Sequence, residues 1–283
     1  MRLPITARTR IAGVVGHPVR HSLSPVIHNA WIEAAGLDAA YLAFEPPAEG
    51  FEAFVQGLRG GVILGLNVTT PFKERAFALA EDPDPGAADV EAANLLLFGE
   101  DGRIAARSTD GAGLLAALAA AGCDPAAGPV TVLGAGGAAR SVVQALRRRG
   151  VGEIRVVNRT VDRARRLADA DPGRIHAFGW SDLGKALGNA AAVINATSLG
   201  MHGQPPLQLE LELAPPKALI TDIVYHPLTT PLLAAARARG HRTVDGLDML
   251  IGQAGPSFEA LFGRPPPDID VRTLCEMALA ARP

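Results

Sequence analysis

Short apolar runs alternate along the chain with stretches in which apolar positions recur every three or four residues. The runs predict strands over Ile11–Val15, Ala40–Phe44, Val62–Asn67, Val130–Leu133, Ile154–Asn158, Ile175–Phe178, Ala192–Asn195 and Leu219–Ile223. Helical spacing fills most of the gaps, as in Val26, Ile27, Ala30, Trp31 and Ala34. Strands alternating with helices are the signature of parallel α/β layers. Leu95–Phe98 and Ile104–Arg107 flank "GEDG", whose Asp101-Gly102 predicts a hairpin. Turn-forming clusters punctuate the rest. "DPDPG" (Asp82–Gly86) and "RPPPD" (Arg264–Asp268) fall inside domains, whereas "GCDPAAGP" (Gly122–Pro129) follows a helix beginning at Asp110 and marks a boundary by composition.

Composition narrows the classes. The 283 residues suit two domains, or one large one, with ample core. A net charge of −2 offers no basic field for nucleic acid or an anionic membrane. Two cysteines, Cys123 and Cys275, without a CxxC fit a reducing compartment and argue against disulfides or a zinc knuckle. The stretch "MRLPITARTR" lacks the apolar core of a signal peptide, and no stretch is long enough to span a membrane. A cytoplasmic location is the expectation. His17 and His21 are four apart, but Pro18 breaks the helical frame, so no metal site is expected.

Past Pro129 comes "VTVLGAGGAARSVVQAL". A strand runs into Gly134, Ala135, Gly136, Gly137 and Ala138, then a helix, with Ala139 in the third glycine position. Glycines there allow a tight turn and close backbone approach to a pyrophosphate at a helix N-terminus. The next strand ends in Asn158-Arg159-Thr160, where an NAD site would carry an acid for the ribose 2′-hydroxyl. The nearby Glu153 sits at the strand's opposite end. Arg159, with Arg163 a turn later, offers guanidinium forks for a 2′-phosphate, and Thr160 a hydroxyl. The pattern predicts NADP as cofactor; the plain alternative is a solvated basic helix start.

The first half must supply substrate chemistry. "LNVTTPFKERAF" (Leu66–Phe77) ends a strand and starts a helix, which clusters Asn67, Thr69 and Lys73 at a carboxyl strand end, where open α/β sheets bind ligands. "STDGAGLL" places Asp110 at another helix start, and a carboxylate in reach could keep Lys73 charged or accept its proton. "SLSP" holds two hydroxyls, Ser22 and Ser24, before Pro25. One serine there is an ordinary N-cap with proline at the first helical position, which leaves the second unexplained.

Taken together, "GHPVRHSLSPVIHN", "NVTTPFKE", "ANLL", "STDGAGLL", "GAGGAAR", "NRT", "NATSLGM", "DIVYHPLTTPLL" and "GLDMLIGQAGPSFE" resemble the shikimate dehydrogenase family, in the family's order and over nearly the whole chain. The resemblance implies NADPH-dependent, reversible reduction of 3-dehydroshikimate to shikimate in aromatic amino-acid biosynthesis. It implies that Ser22 and Ser24 bind the substrate carboxylate and that Thr69, Asn94 and Asp110 hold ring hydroxyls. Lys73 would handle the proton, while Tyr225 and Gln253 would complete the pocket. On the cofactor side it adds Ile223 and Gly246. Two positions depart from the usual pattern. Leu95 follows Asn94 where the family has threonine, and Ser108 stands where it has asparagine, which bears on quinate or an amino analogue as substrate.

The expected architecture is a substrate-binding α/β domain over residues 1–109, a Rossmann-type doubly wound domain over 110–245, and C-terminal helices (246–283) that return to the first domain, with a cleft between the domains. Residue Lys73 would act as general acid/base with Asp110. Rival readings are an NAD-linked quinate/shikimate dehydrogenase, a non-catalytic sensor of cofactor and substrate, and an interaction protein on a dinucleotide-binding scaffold. Arg159 counts against the first, and the retained Lys73 and Asp110 against the second. The third gives the polar constellation no purpose. A homodimer is left open.

Overall fold

The computed structural model describes residues 4–60 and 63–281. Val62, first residue of the strand expected over Val62–Asn67, lies outside them, as do residues 1–3 and 282–283 of the terminal stretches. Contacts divide the chain into two compact units. The first runs to Thr109 and resumes at Gln253; the second is Asp110–Gly252. Gly122–Pro129 is therefore no boundary. It lies inside the second unit because the helix before it packs there, where a Cβ on Gly111 would meet Ala145 Cβ at 2.6 Å. The C-terminal return begins at Gln253, inside a helix, rather than at residue 246.

In the first unit β1 (Arg10–Val15), β2 (Ala39–Phe44) and β3 (Ile63–Val68) are parallel. A hairpin of β5 (Leu95–Phe98) and β6 (Ile104–Arg107) pairs antiparallel to β3. The sheet order is β2-β1-β3-β5-β6-β4. Strand β4 is the two-residue Asp82–Pro83, pairing with β6 inside the stretch read as a turn. Proline there is tolerated because β4 is an edge strand. Helices α1 (Ser24–Ala34), α2 (Phe51–Gln56), α3 (Lys73–Ala78) and α4 (Pro85–Val90) complete the unit with α11 (Val271–Ala280). Val15, Leu66, Val68, Phe51, Phe72 and Leu96 share one core cluster, with Phe51 stacked on Phe72 at 4.3 Å.

The second unit is a six-stranded sheet ordered β12-β11-β10-β7-β8-β9. Its strands are β7 (Val130–Leu133), β8 (Ile154–Val157), β9 (Ile175–Phe178), β10 (Ala192–Asn195), β11 (Leu219–Asp222) and β12 (Thr243–Val244), all parallel. Side chains alternate between faces along a strand. Val130, Val132, Ile154, Val156 and Ile194 accordingly join one core, while Leu133, Val157, Val193 and Ile220 join another. Helices α5 (Asp110–Ala120), α6 (Gly137–Arg148) and α7 (Val161–Ala168) cover the first face. Helices α8 (Leu183–Leu187) and α9 (Pro231–Ala238) cover the second. A sheet buried on both faces reads as continuous apolar runs, which is why these strands were legible. Helix α10 (Gly246–Phe262) begins in this unit and ends in the first. No helix among the described residues is long and apolar enough to cross a membrane.

Candidate active site

In the first unit Ser22 and Ser24 follow the carboxyl end of β1, and Thr69 and Lys73 follow that of β3. The loop after β1 is held by the Val19 N–H donating to Glu45 at 3.0 Å, and that bond keeps the Glu45 carboxyl below the usual range. Ser24 is the first residue of α1, and Leu23 is its cap. The expected N-cap role is thus absent, since no side chain caps this helix. The Ser24 N–H instead donates to Ser22 Oγ at 3.2 Å, and the Ser24 hydroxyl bonds Tyr41. With its oxygen already accepting, Ser22 keeps a proton to donate, as a carboxylate requires.

Tyr41 opens a buried polar chain through the unit. Its hydroxyl donates to Asn67 Oδ1 at 2.7 Å, and burial pushes its pKa well up. Asn67 Nδ2 donates to the Asn94 carbonyl at 3.2 Å and to Ser257 Oγ at 3.0 Å. Asn94 Nδ2 reaches Thr109 Oγ1 at 2.8 Å and Gln253 Oε1 at 3.2 Å, while the Thr109 N–H donates back to Asn94 Oδ1 at 2.7 Å. Asn94 and Gln253, far apart in sequence, are thus brought together, and both are buried. Tyr41, Thr109 and Ser257 went unread as participants. Only the "STDG" hydroxyl and a serine one helical turn after Gln253 hinted at them. Leu95 is fully buried in the hydrophobic core, so a hydroxyl there would need a buried partner.

Thr69 follows β3, its N–H donating to the Val15 carbonyl at 2.9 Å. Its methyl fills the space where a Cβ on Gly16 would stand, at 2.4 Å. Lys73 opens α3 and is half-buried, with its carbonyl accepting from the Ala93 N–H. Asp110 opens α5 in the second unit and is buried. Tyr225 is half-buried after β11 in that unit.

The residues expected to hold the cofactor lie in the second unit. Gly134 has φ +111°, a conformation few side chains adopt, and a Cβ on it would meet the Ala196 carbonyl oxygen at 2.9 Å. Nothing lies within 4 Å of a Cβ built on Gly136, and Gly136 caps α6 without a side-chain bond. The first-turn N–H groups of α6 are thus open to an anion, while Ala139 packs in the core below. At the end of β8, Asn158 Nδ2 bonds the Thr160 carbonyl at 2.9 Å and shapes the turn. Arg159, Thr160 and Arg163 are exposed there. Glu153, at the other end of the strand, is bound to Arg155 at 2.7 Å, which lowers its pKa. No acid from this strand competes for the ribose position, and the residues present fit a 2′-phosphorylated dinucleotide. Ile223 and Gly246 adjoin, since a Cβ on Gly246 would strike the Ile223 carbonyl oxygen at 2.4 Å.

This geometry can be set beside known proteins. Residues 14–96 match the family described as the shikimate dehydrogenase substrate binding domain, and residues 118–203 match the shikimate / quinate 5-dehydrogenase family. A shikimate dehydrogenase (NADP(+)) of Caulobacter vibrioides is 54% identical over 95% of this chain and 96% of its own. One of Methylobacterium radiotolerans is 46% identical over 97% of this chain and 100% of its own. The crystal structure of Thermus thermophilus shikimate 5-dehydrogenase with NADP(H) and shikimate superposes at TM-score 0.85 and 37% identity, covering 96% of this chain and 100% of that one. With both sheets, the glycine turn and these full-length relatives in agreement, this chain belongs to the shikimate dehydrogenase family.

Proposed function

We infer that the protein interconverts 3-dehydroshikimate and shikimate, with NADP(H) as the redox partner. The observation that carries the cofactor choice is the exposed Arg159, Thr160 and Arg163 at the end of β8, with the strand's acid, Glu153, turned away and engaged by Arg155. When bound, the nicotinamide supplies or accepts hydride at the ring carbon. Everything else falls to side chains of this chain. Ser22 and Ser24 hold the substrate carboxylate, Ser22 with the proton its geometry leaves available. Thr69, Asn94 and Asp110 take ring hydroxyls, and Gln253, tied to Asn94, fixes the ring's orientation. Lys73 donates a proton to the developing alkoxide and recovers it in the reverse direction, so charge does not build up on oxygen. Tyr225 closes the substrate's surroundings. The backbone of Gly134, Ala135, Gly136, Gly137 and Ala138 receives the pyrophosphate, with Asn158 shaping the adjacent turn and Ile223 and Gly246 completing the cofactor's contacts. A cytoplasmic location belongs to the same reading, and a homodimer stays open within it.

Steady-state oxidation of shikimate tests it. Activity is expected with NADP in preference to NAD and with shikimate in preference to quinate. Replacing Lys73→Ala is expected to lower kcat by about 10²-fold or more, with a smaller change in the KM for shikimate. Retention of most of kcat would remove Lys73 from the chemistry, and preference for NAD would overturn the cofactor assignment.

A further inference from the structure

Asp222, the last residue of β11, is fully buried, and the chemistry above does not use it. Its carboxylate is the meeting point of three donors. Thr230 Oγ1 donates at 2.7 Å, the Val224 N–H at 3.0 Å and Asn195 Nδ2 at 2.9 Å. Asn195, the last residue of the neighbouring β10, carries the network onward. Its Oδ1 accepts from the Thr197 N–H and hydroxyl, its Nδ2 also reaches the Leu199 carbonyl, and its own carbonyl accepts from the Ile223 N–H. Two loops at the carboxyl edge of the sheet, 195–199 and 222–230, therefore hang from one buried carboxylate.

Both loops bear on the nucleotide turn. The Ala196 carbonyl and Thr197 methyl are the atoms against which Gly134 closes, at 2.9 and 3.1 Å from a Cβ built there. The Ile223 carbonyl is what excludes a side chain from Gly246. In an open α/β sheet a dinucleotide whose phosphates sit after β7 and whose 2′-phosphate lies beyond β8 extends its other half toward β10 and β11. We propose that Asp222 is a positioning residue for the cofactor, holding the Asn195 and Ile223 loops in the shape that receives the half of NADP(H) remote from its 2′-phosphate.

A role in stability alone is a poor account of the residue. Burial raises its pKa to about 6, so keeping the charge at neutral pH opposes folding even with three donors around it. Asparagine is nearly the same shape and carries no such cost. An ionised acceptor of three donors does what asparagine cannot, because one amide position would present hydrogens to Thr230 or Asn195 instead of lone pairs.

The proposal rests on the reading that this unit binds NADP(H), and the experiment separates it from the reading that Ile223 borders the cofactor. Binding of NADPH alone, read by its fluorescence, is measured for the parent protein, Asp222→Asn, Thr230→Val, Thr230→Ser and Ile223→Asp, with thermal unfolding of each. Asp222→Asn is expected to weaken NADPH binding about tenfold, the scale of one hydrogen bond to a charged group, with melting temperature unchanged or raised at neutral pH. Thr230→Val should weaken binding severalfold, and Thr230→Ser, which keeps the hydroxyl, should restore it. Unchanged NADPH affinity in folded Asp222→Asn overturns the proposal, as does a loss that merely follows a fall in melting temperature. If Asp222→Asn does not fold, the threonine pair decides alone, and equal binding by Val and Ser overturns it. Weak binding by Ile223→Asp beside normal Asp222→Asn sinks the proposal and keeps the Ile223 reading. The converse keeps the proposal, acting through the 195–199 loop, and sinks that reading.

Discussion

Ser22 and Ser24 show how much two hydroxyls can differ at one residue's separation. As sequence, both were equally available, and Ser24 was also a plain N-cap. In the structure Ser24 caps nothing and its hydroxyl turns to Tyr41, while Ser22 Oγ accepts from the Ser24 N–H. Ser24→Ala therefore carries none of the ~1 kcal/mol expected for losing an N-cap. If it binds the carboxylate, its loss should raise the KM for shikimate about ten- to a hundredfold and leave NADPH binding alone. Kinetics and thermal melts on the same variant decide, and a normal KM with a lowered melting temperature would return Ser24 to a structural role. Chemistry at this scale was legible where the local backbone demands it. Gly134 has to be glycine for its φ of +111°, a demand that lies within one turn, whereas the Ala196 carbonyl that also crowds it comes from the end of another strand. Tyr41, Thr109 and Ser257 were illegible because the partners that draw them into the network, Asn67 for both Tyr41 and Ser257, and Ser257 for Thr109, are distant in the chain.

At the scale of elements, the parallel strands and the hairpin emerged where the apolar pattern placed them, because burial on both faces leaves little choice of residue. The two-residue strands β4 and β12 did not, since so few residues carry no period. Helix packing was equally hidden. Gly111 lets α5 approach α6, and Gly252 lets α10 approach α5, where a Cβ would meet the Gly113 carbonyl oxygen at 2.8 Å. That neighbour is backbone and cannot swing aside. Gly252→Val is thus expected to destabilise by about 1–3 kcal/mol, the range for overpacking, measurable as a lower denaturation midpoint at unchanged slope. An unaltered midpoint would mean that the two helices part without cost.

For the whole molecule, two buried titratable groups give the units opposite responses to acid. His28, in the first unit, is fully buried, stacked on Tyr41 at 4.1 Å with both ring nitrogens unpartnered, and burial lowers its pKa from 6.5 to about 3. The unfolded chain takes up a proton that this fold refuses. The contribution to stability is therefore whole above pH 6.5 and is lost as pH falls toward 3, by about 2 kcal/mol at pH 5. For Asp222, in the second unit, burial raises the pKa from 3.8 to about 6, so its contribution is whole below pH 3.8 and is lost as pH rises through 6. Between pH 7.5 and 5, amide exchange should accelerate in α1 and β2 and not in β10 and β11, and His28→Phe should abolish the acceleration. Uniform acceleration through both units would show that other groups dominate.

What the sequence by itself determined is whatever a short window enforces: strand and helix periods, the glycine turn, the absence of an acid at the end of β8, and the run of motifs that mark the family. What only the tertiary structure decided is where distant windows meet. The proline- and glycine-rich Gly122–Pro129 lies inside the second unit because α5 packs on α6 and carries that turn with it, and the return to the first unit begins at Gln253, within a helix. The hydrogen-bond chain from Ser24 through Tyr41 and Asn67 to Asn94 and Gln253, and the carboxylate hub at Asp222, are likewise tertiary facts. The reason is physical. A backbone period is set by neighbours a few residues away, whereas a buried polar group needs a partner in space, wherever in the chain that partner falls.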